Sequence, residues 1–98
     1  MTQDNNIVRK IEQFHSEWSK MELVSKMRTL MGKQLEINSW VNALAKNRAF
    51  RGYYTPEEIV AVRQLQDIQN ELDYHKSEVN RELYNEISKE LMKVIFNF

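Results

Sequence analysis

The sequence predicts an all-α protein, and three observations support that prediction. The 98 residues include only two glycines and one proline. No stretch has the sustained alternation of apolar and polar residues that is typical of a β-strand. Apolar residues instead recur every three or four positions, as on one face of an α-helix. We therefore expect a single helical domain over residues 1–98, with helices at about 5–18, 20–48 and 56–96. These helices would form an antiparallel helical hairpin with a bent first arm, equivalently a three-helix bundle.

The first arm of this hairpin is expected to bend near residues 19–22. Before the bend the apolar residues share one helical face: Ile7, Ile11, Phe14, Trp18 and Met21. After Leu23 they fall on roughly the opposite side of the helical wheel, which the drift of about 20° per seven residues in one helix cannot produce. Ser19 and Glu22 also have the spacing of a capping box, which favours a new helix at this point.

The turn between the two arms is the clearest local signal in the chain. Thr55 and Glu58 form a second capping box, and Pro56 occupies the first helical position between them. Gly52 precedes the box. The pattern therefore predicts a turn near residues 52–55 and a new helix from residue 56.

The third helix is predicted to run without a break from residue 56 to residue 96. Its apolar seam consists of Leu65, Ile68, Leu72, His75, Val79, Leu83, Ile87, Leu91 and Val94. No glycine or proline lies within it. Folding the chain at Gly52 sets the stripes of the two arms side by side, with Leu35 near Ile68 and Trp18 near Ile87.

Composition narrows the classes of protein to which the chain can belong. There is no cysteine, which excludes disulfide scaffolds and thiolate chemistry, and the formal net charge is zero. We expect no secretory signal and no membrane contact, because the N-terminus lacks a basic start and no apolar stretch approaches about 20 residues. A cytoplasmic protein is the resulting expectation.

Residues 1–56 carry nine Lys and Arg against five acids, and residues 57–98 carry five against nine. This asymmetry would favour packing of the two halves against each other.

The second predicted helix has more apolar surface than the third can cover. The surplus consists chiefly of Leu30, Ile37, Trp40 and Leu44. It could be covered by the first helix, by a second copy of the chain or by a different protein. An association surface is the more economical account, because the first helix is better used against the C-terminal segment. Self-association, with a dimer as the expected state, is therefore predicted.

Residues 37–56 contain no Asp or Glu, and basic and aromatic side chains alternate near the turn. The candidate partner-binding residues there are Lys46, Arg48, Arg51, Tyr53 and Tyr54, together with Ile37, Trp40 and Leu44 on the second helix. Trp, Tyr and Arg dominate the binding energy of protein interfaces, whereas cations with stacking rings are also used to bind nucleic acid. A third interpretation is purely structural, with the tyrosines capping the bundle and the arginines solvated.

No arrangement of residues indicates catalysis. Glu12 and His15 have the Glu-x-x-His spacing of carboxylate-bridged metal sites, but such sites need the motif twice. His75 follows Leu72 at the same offset and not an acid. We therefore expect no enzyme activity, no metal and no cofactor. The sequence favours a non-catalytic protein–protein interaction module, such as a small accessory, adaptor or inhibitor protein docking on a larger protein machine. The compact chain without motifs would also suit an inhibitor encoded by a mobile element. The alternative is a nucleic-acid-binding protein that uses residues 46–54.

Overall fold

The structure, a computed structural model, describes residues 3–96 and the side chains of residues 6–96. Every regular element in this part of the chain is helical, so the all-α prediction is confirmed. The α-helices are α1 (Gln3–Trp18), α2 (Leu23–Gly32), α3 (Gln34–Arg51), α4 (Pro56–Tyr74) and α5 (Arg81–Ile95). A single 3₁₀ turn, Lys76–Glu78, lies between α4 and α5.

The helices pack as a four-helix arrangement and not as a simple hairpin. α1 packs against both α3 and α4, and α5 also packs against both of them. The order around the core is therefore α1, α3, α5, α4, with α3 and α4 facing each other across it. The side-by-side pairing of the two hairpin arms is not observed, and Leu35 is 83% exposed and outside the core.

The bundle has two ends that differ in what they contain. We call the end with residues 52–55 the turn end, and it also holds the C-terminus of α5, because the Tyr54 hydroxyl donates to the Val94 carbonyl at 3.1 Å. We call the opposite end the far end, and it holds α2 and the connection at residues 75–80. His15 lies 3.1 Å from Asp67 there, which places the C-terminal part of α1 beside the second half of α4.

Two of the predicted helices are each divided into two. The helix predicted at 20–48 is interrupted at Lys33, where glycine's poor helix propensity at the preceding position weakens the continuity between α2 and α3. The helix predicted at 56–96 ends at Tyr74, and α5 begins at Arg81. All members of the predicted apolar seam except His75 are buried, as expected for residues that face the core. The seam does not distinguish one long helix from two, because two antiparallel helices that face the same core bury the same residues.

The predicted bend at residues 19–22 is present, but the capping box assigned to it is not. α1 ends at Trp18 and α2 begins at Leu23. Glu22 is the N-cap of α2 and makes no side-chain capping bond, whereas the Ser19 hydroxyl donates to the Ser16 carbonyl at 3.1 Å. The change of apolar face was therefore the reliable signal, and the spacing of Ser19 and Glu22 was coincidental.

The α2 helix is attached to the bundle at few points. Leu30 is its only fully buried side chain. The Trp18 indole N–H donates to the Lys26 carbonyl at 3.0 Å, and the Lys26 ammonium lies 3.1 Å from the Glu71 carboxylate of α4. Lys26 also lies 4.9 Å from the centre of the Trp18 ring. One residue, Lys26, thus provides most of the polar attachment of α2.

Candidate docking surface at the turn end

The turn is built from backbone geometry that the sequence specifies locally. Gly52 ends α3 with φ +90°, a left-handed conformation that glycine adopts without strain, and its N–H donates to the Arg48 carbonyl at 2.6 Å. Thr55 then begins α4: its hydroxyl accepts from the Glu58 N–H at 3.2 Å, and its own N–H donates to the Glu58 carboxylate at 3.0 Å. The predicted capping box is confirmed.

A buried ion pair fixes the turn from the side of the core. The Glu58 side chain is 1% exposed, and its carboxylate accepts a hydrogen bond from the Arg51 guanidinium. The Asn47 amide donates to the other Glu58 oxygen at 3.4 Å. A buried carboxylate is stable only with such partners. Glu58 therefore joins the last turn of α3 to the first turn of α4.

Tyr54 belongs to the core and not to the surface. It is 7% exposed, its hydroxyl binds the Val94 carbonyl, and the Arg48 guanidinium lies 5.7 Å from its ring centre. Burial raises the pKa of Tyr54, with the Glu58 charge adding to this effect and the Arg48 charge opposing it. For Tyr54 the structural interpretation, a tyrosine that caps the bundle, is therefore the one that the contacts favour.

The neighbouring aromatic side chains are exposed instead. Phe50 is 91% exposed and Tyr53 is 59% exposed, and the Arg51 guanidinium lies 5.8 Å from the Tyr53 ring centre. Lys46 is exposed one helical turn before Phe50 and so lies on the same face of α3. We call Lys46, Phe50 and Tyr53 the turn-end surface. Phe96, 78% exposed at the end of α5, lies at the same end of the bundle.

The apolar surplus predicted for the second helix is covered within the chain. Ile37 and Leu44 are fully buried, and Trp40 is 5% exposed. The Trp40 ring packs on the Phe14 ring of α1, with centroids 5.6 Å apart and planes inclined at 57°. These three candidate partner-binding residues are therefore core residues, because α1 and α5 enclose α3 from both sides.

Charge is sorted between the two ends of the bundle. Among residues 6–96, whose side chains the structure describes, dividing each long helix at its middle assigns residues 6–11, 43–65 and 88–96 to the turn end. It holds eight Lys and Arg against three Asp and Glu. The far end, residues 12–42 and 66–87, holds six against ten. The cations near the turn thus belong to a basic end, although the chain as a whole is neutral.

The histidines do not form a metal site with the acids around them. Within the described residues no three His, Cys, Asp or Glu side chains are grouped as metal ligands would be. His15 contacts Asp67, and His75 lies 3.9 Å from Glu71 and 3.4 Å from Glu78. In the same part of the chain, no helix combines the length and apolarity needed to span a bilayer.

Two features of the turn end escaped sequence reasoning. The Arg51–Glu58 ion pair was missed because Glu58 was read only as a helix cap, although an Arg seven residues before it across a tight turn was a usable signal. Phe50 was not among the predicted partner-binding residues, although it lies in the same acid-free segment. Its exposure follows from its position on the same helical face as Lys46, opposite the buried Val41 and Leu44.

The chain was compared with family models, curated proteins and solved structures, and none of these comparisons finds a match.

Proposed function

We propose that the protein is a non-catalytic interaction module that docks on a protein partner through the turn-end surface. The observation that carries the proposal is the 91% exposure of Phe50 on a helix end that a buried ion pair holds in place. Exposing a large aromatic side chain does nothing for the stability of the isolated chain. Aromatic residues are, however, enriched among those that dominate the binding energy of interfaces.

The rigidity of the turn supports this proposal. Residues 52–55 are constrained by the left-handed Gly52, by the capping box and by the Arg51–Glu58 pair. A partner would therefore not have to order this segment, and ordering is one of the main free-energy costs of association. A small accessory, adaptor or inhibitor protein that acts on a larger protein can be built in this way.

The charge of the turn end indicates the chemistry of the partner. The turn-end surface lies in the acid-free segment 37–56, within an end that carries eight cations and three acids. A partner surface with carboxylates around an apolar pocket would complement both Lys46 and Phe50. We infer a partner of that kind.

Nucleic acid is the second candidate, and the same excess of cations favours it. Two contacts weaken that candidate: Arg51 is engaged by the Glu58 carboxylate, and Arg48 lies against the Tyr54 ring. Phosphate contacts give a steep decrease of affinity with salt concentration. A titration with single-stranded DNA and RNA at several salt concentrations separates the two candidates, since a shallow or absent response excludes nucleic acid.

The test uses a Phe50→Ser variant and a matched control at the far end. Tyr74 is 84% exposed, so Tyr74→Ser removes a comparable exposed ring elsewhere. A partner would be recovered from a lysate of the source cells, purified, and titrated with each variant. We expect Phe50→Ser to weaken binding at least ~30-fold, the effect of losing about 2 kcal/mol at a dominant interface residue. Tyr74→Ser should bind like the wild type, and both variants should melt like it. Wild-type affinity of Phe50→Ser would contradict the proposal.

A further inference from the structure

The far end of the bundle carries a groove whose chemistry is complementary to the turn-end surface. The groove has a volume of about 360 Å³ and lies between the α2–α3 junction and the first turns of α5. It is lined by Met31, Gln34, Asn80, Glu82, Leu83 and Glu86. We call it the far-end groove. Two of its lining side chains are apolar, two are amides and two are carboxylates.

The apolar part of the groove is accessible. Met31 is 56% exposed, and Leu83, which also lines the groove, is 5% exposed. A thioether is a favourable neighbour for an aromatic ring, and methionine adapts its shape to the group that it contacts. The groove therefore offers a site for one aromatic side chain.

The charged side chains of the groove are opposite in sign to the cation of the turn-end surface. Glu82 and Glu86 both line the groove and both are exposed. Lys46 lies one helical turn before Phe50 on the same side of α3. With the Phe50 ring in so small a groove, the Lys46 ammonium would lie within reach of these two carboxylates.

We propose that the partner of the turn-end surface is a second copy of this chain, which receives it in the far-end groove. This inference rests on the proposed function, because it uses the same docking surface and adds the identity of the partner. The sorting of charge between the two ends supports it: an end with eight cations and three acids would meet an end with six cations and ten acids. Such complementary ends orient molecules before contact and speed their association.

The position of the two sites determines the kind of assembly. They lie at opposite ends of a body that measures 39 × 22 × 20 Å, so the contact is heterologous. Each copy then has a free site at both ends, and repeated contacts build an open head-to-tail chain and not a closed dimer. An end of about 20 × 22 Å limits the buried area to about 900 Å² in total, which falls in the class of weak, transient interfaces.

Sedimentation equilibrium over a wide range of protein concentration tests the assembly itself. We expect the average mass to rise steadily above the 11.8 kDa of one chain without levelling at that of a dimer. High salt should return it to the monomer mass, because exposed charges are screened. A mass that stays at 11.8 kDa up to millimolar concentration at low salt would overturn the inference.

A pair of complementary variants tests the two sites. Phe50→Glu disables the turn-end surface, and the double variant E82K/E86K removes the carboxylates of the groove. Each variant alone should stay monomeric. Mixed, they should form a 1:1 heterodimer and nothing larger, since one supplies an intact groove and the other an intact turn end. A mixture that remains monomeric, or continued chain growth by either variant alone, would overturn the assignment of the sites.

The control carries the same change of charge at the same end but outside the groove. Glu17 and Glu78 are exposed acids that do not line it, so E17K/E78K should still form chains, with at most a few-fold loss of affinity. Equal loss of assembly in this control would mean that net charge and not the groove is responsible. The two proposals can fail separately. If the protein stays monomeric and Phe50→Ser abolishes binding to a foreign partner, only the proposal of a second copy as partner is refuted. If the chain self-assembles and Phe50→Glu leaves that assembly unchanged, the turn-end surface itself is refuted as a docking site.

Discussion

The connection between α3 and α4 and the connection between α4 and α5 both reverse the chain, but they are fixed by different interactions. The first, residues 52–55, relies on its own residues: Gly52 in the left-handed conformation, and Thr55 and Glu58 in a capping box. The second, residues 75–80, contains neither glycine nor proline. Its local interactions are the 3₁₀ turn Lys76–Glu78, in which the Glu78 N–H donates to the His75 carbonyl at 2.8 Å, and the N-cap of α5, where the Asn80 side chain accepts from the Leu83 N–H at 3.1 Å.

The second connection is held mainly by contacts between the helices that it joins. The Gln69 amide of α4 donates to the Ser88 hydroxyl of α5 at 3.0 Å and, within its own helix, to Asp73 at 3.0 Å. The Tyr84 hydroxyl of α5 donates to the Asp73 carboxylate. Val79, within the connection, is 8% exposed and packs on the core. The comparison teaches that a reversal without local turn residues depends on tertiary contacts, which are distant in sequence.

The largest expected effect comes from removing the carboxylate that holds the first connection. Glu58→Ala removes the carboxylate that pairs with the Arg51 guanidinium, and it also breaks the capping box. We expect the free energy of unfolding to fall by about 3 kcal/mol, as for one member of a buried ion pair. Glu57→Ala, at an exposed neighbour, should change it by less than about 0.5 kcal/mol. Urea denaturation measures the free energy of unfolding of both variants. Equal effects would contradict the assignment of Glu58 as the residue that holds the turn.

The next prediction contrasts the two glycines. Gly52 has φ +90°, so Gly52→Ala should destabilise the fold by about 1 to 2 kcal/mol through backbone strain at the first connection. Gly32 has an ordinary φ and open space around it, so Gly32→Ala should stabilise by up to about 1 kcal/mol through helix propensity. Thermal melting followed by circular dichroism gives the sign of each change. Effects of the same sign would contradict the assignment of Gly52 as the conformationally required glycine.

At the second connection the local contribution is expected to be smaller. Asn80→Ala removes the N-cap of α5 and should cost about 1 kcal/mol. Arg81→Ala, at the exposed position that follows, is the matched control and should have little effect. Because Gln69, Asp73 and Tyr84 remain, the connection should persist in Asn80→Ala, with unchanged helix content by circular dichroism. Loss of α5 in this variant would show that the second reversal is as local as the first.

The smallest effect at neutral pH is expected for the two tyrosine hydroxyls. Tyr54→Phe removes the hydrogen bond to Val94, and Tyr84→Phe removes the one to Asp73; each should cost about 0.5 to 1 kcal/mol. The pKa of Tyr54 is raised above its ordinary value of 10.0 by burial, and that of Tyr84 chiefly by its hydrogen bond to Asp73. A raised pKa favours the neutral phenol in the fold, so this stability is complete below pH 10 and is lost as the pH rises through the folded-state pKa.

Alkaline denaturation followed by absorbance and circular dichroism therefore provides the second readout. Tyr54→Phe should be less sensitive than the wild type to the rise above pH 10, although it is slightly less stable at pH 7. An unchanged alkaline transition would mean that Tyr54 ionises as freely in the fold as in the unfolded chain.

The sequence predicted those parts of the fold that depend on neighbouring residues. The helical class, the bend after Trp18 and the α4 capping box follow from periodicity and capping, which act over a few residues. The division at residues 75–80 did not, because Val79 and Leu83 continue the same apolar seam through the reversal. Asn80 is of a residue type common at helix N-caps and so could have indicated that α5 begins at Arg81. The uninterrupted apolar seam instead favoured one continuous helix.

The candidate site was predicted in part, for a related reason. The acid-free segment and its aromatic residues indicated the turn end, where Phe50 and Tyr53 are exposed. Periodicity could not say that Tyr54 is buried and Tyr53 exposed, because the carbonyl that receives the Tyr54 hydroxyl is at Val94, 40 residues away. Nor could it say that Ile37, Trp40 and Leu44 are covered by α1 and α5, since that depends on the order of helices around the core.

The light attachment of α2 has a consequence for the motions of the molecule. With one fully buried side chain, Leu30, and polar attachment through Lys26, α2 can detach while the other helices keep their mutual packing. Local opening of this kind costs less free energy than global unfolding. Amide hydrogens of residues 27–32 should thus exchange with solvent well before those in the middle of α4, although all of them are helical. We expect the detached state to uncover Leu30 and the Trp18 indole, and α2 to be the first segment of the native fold that a protease cleaves.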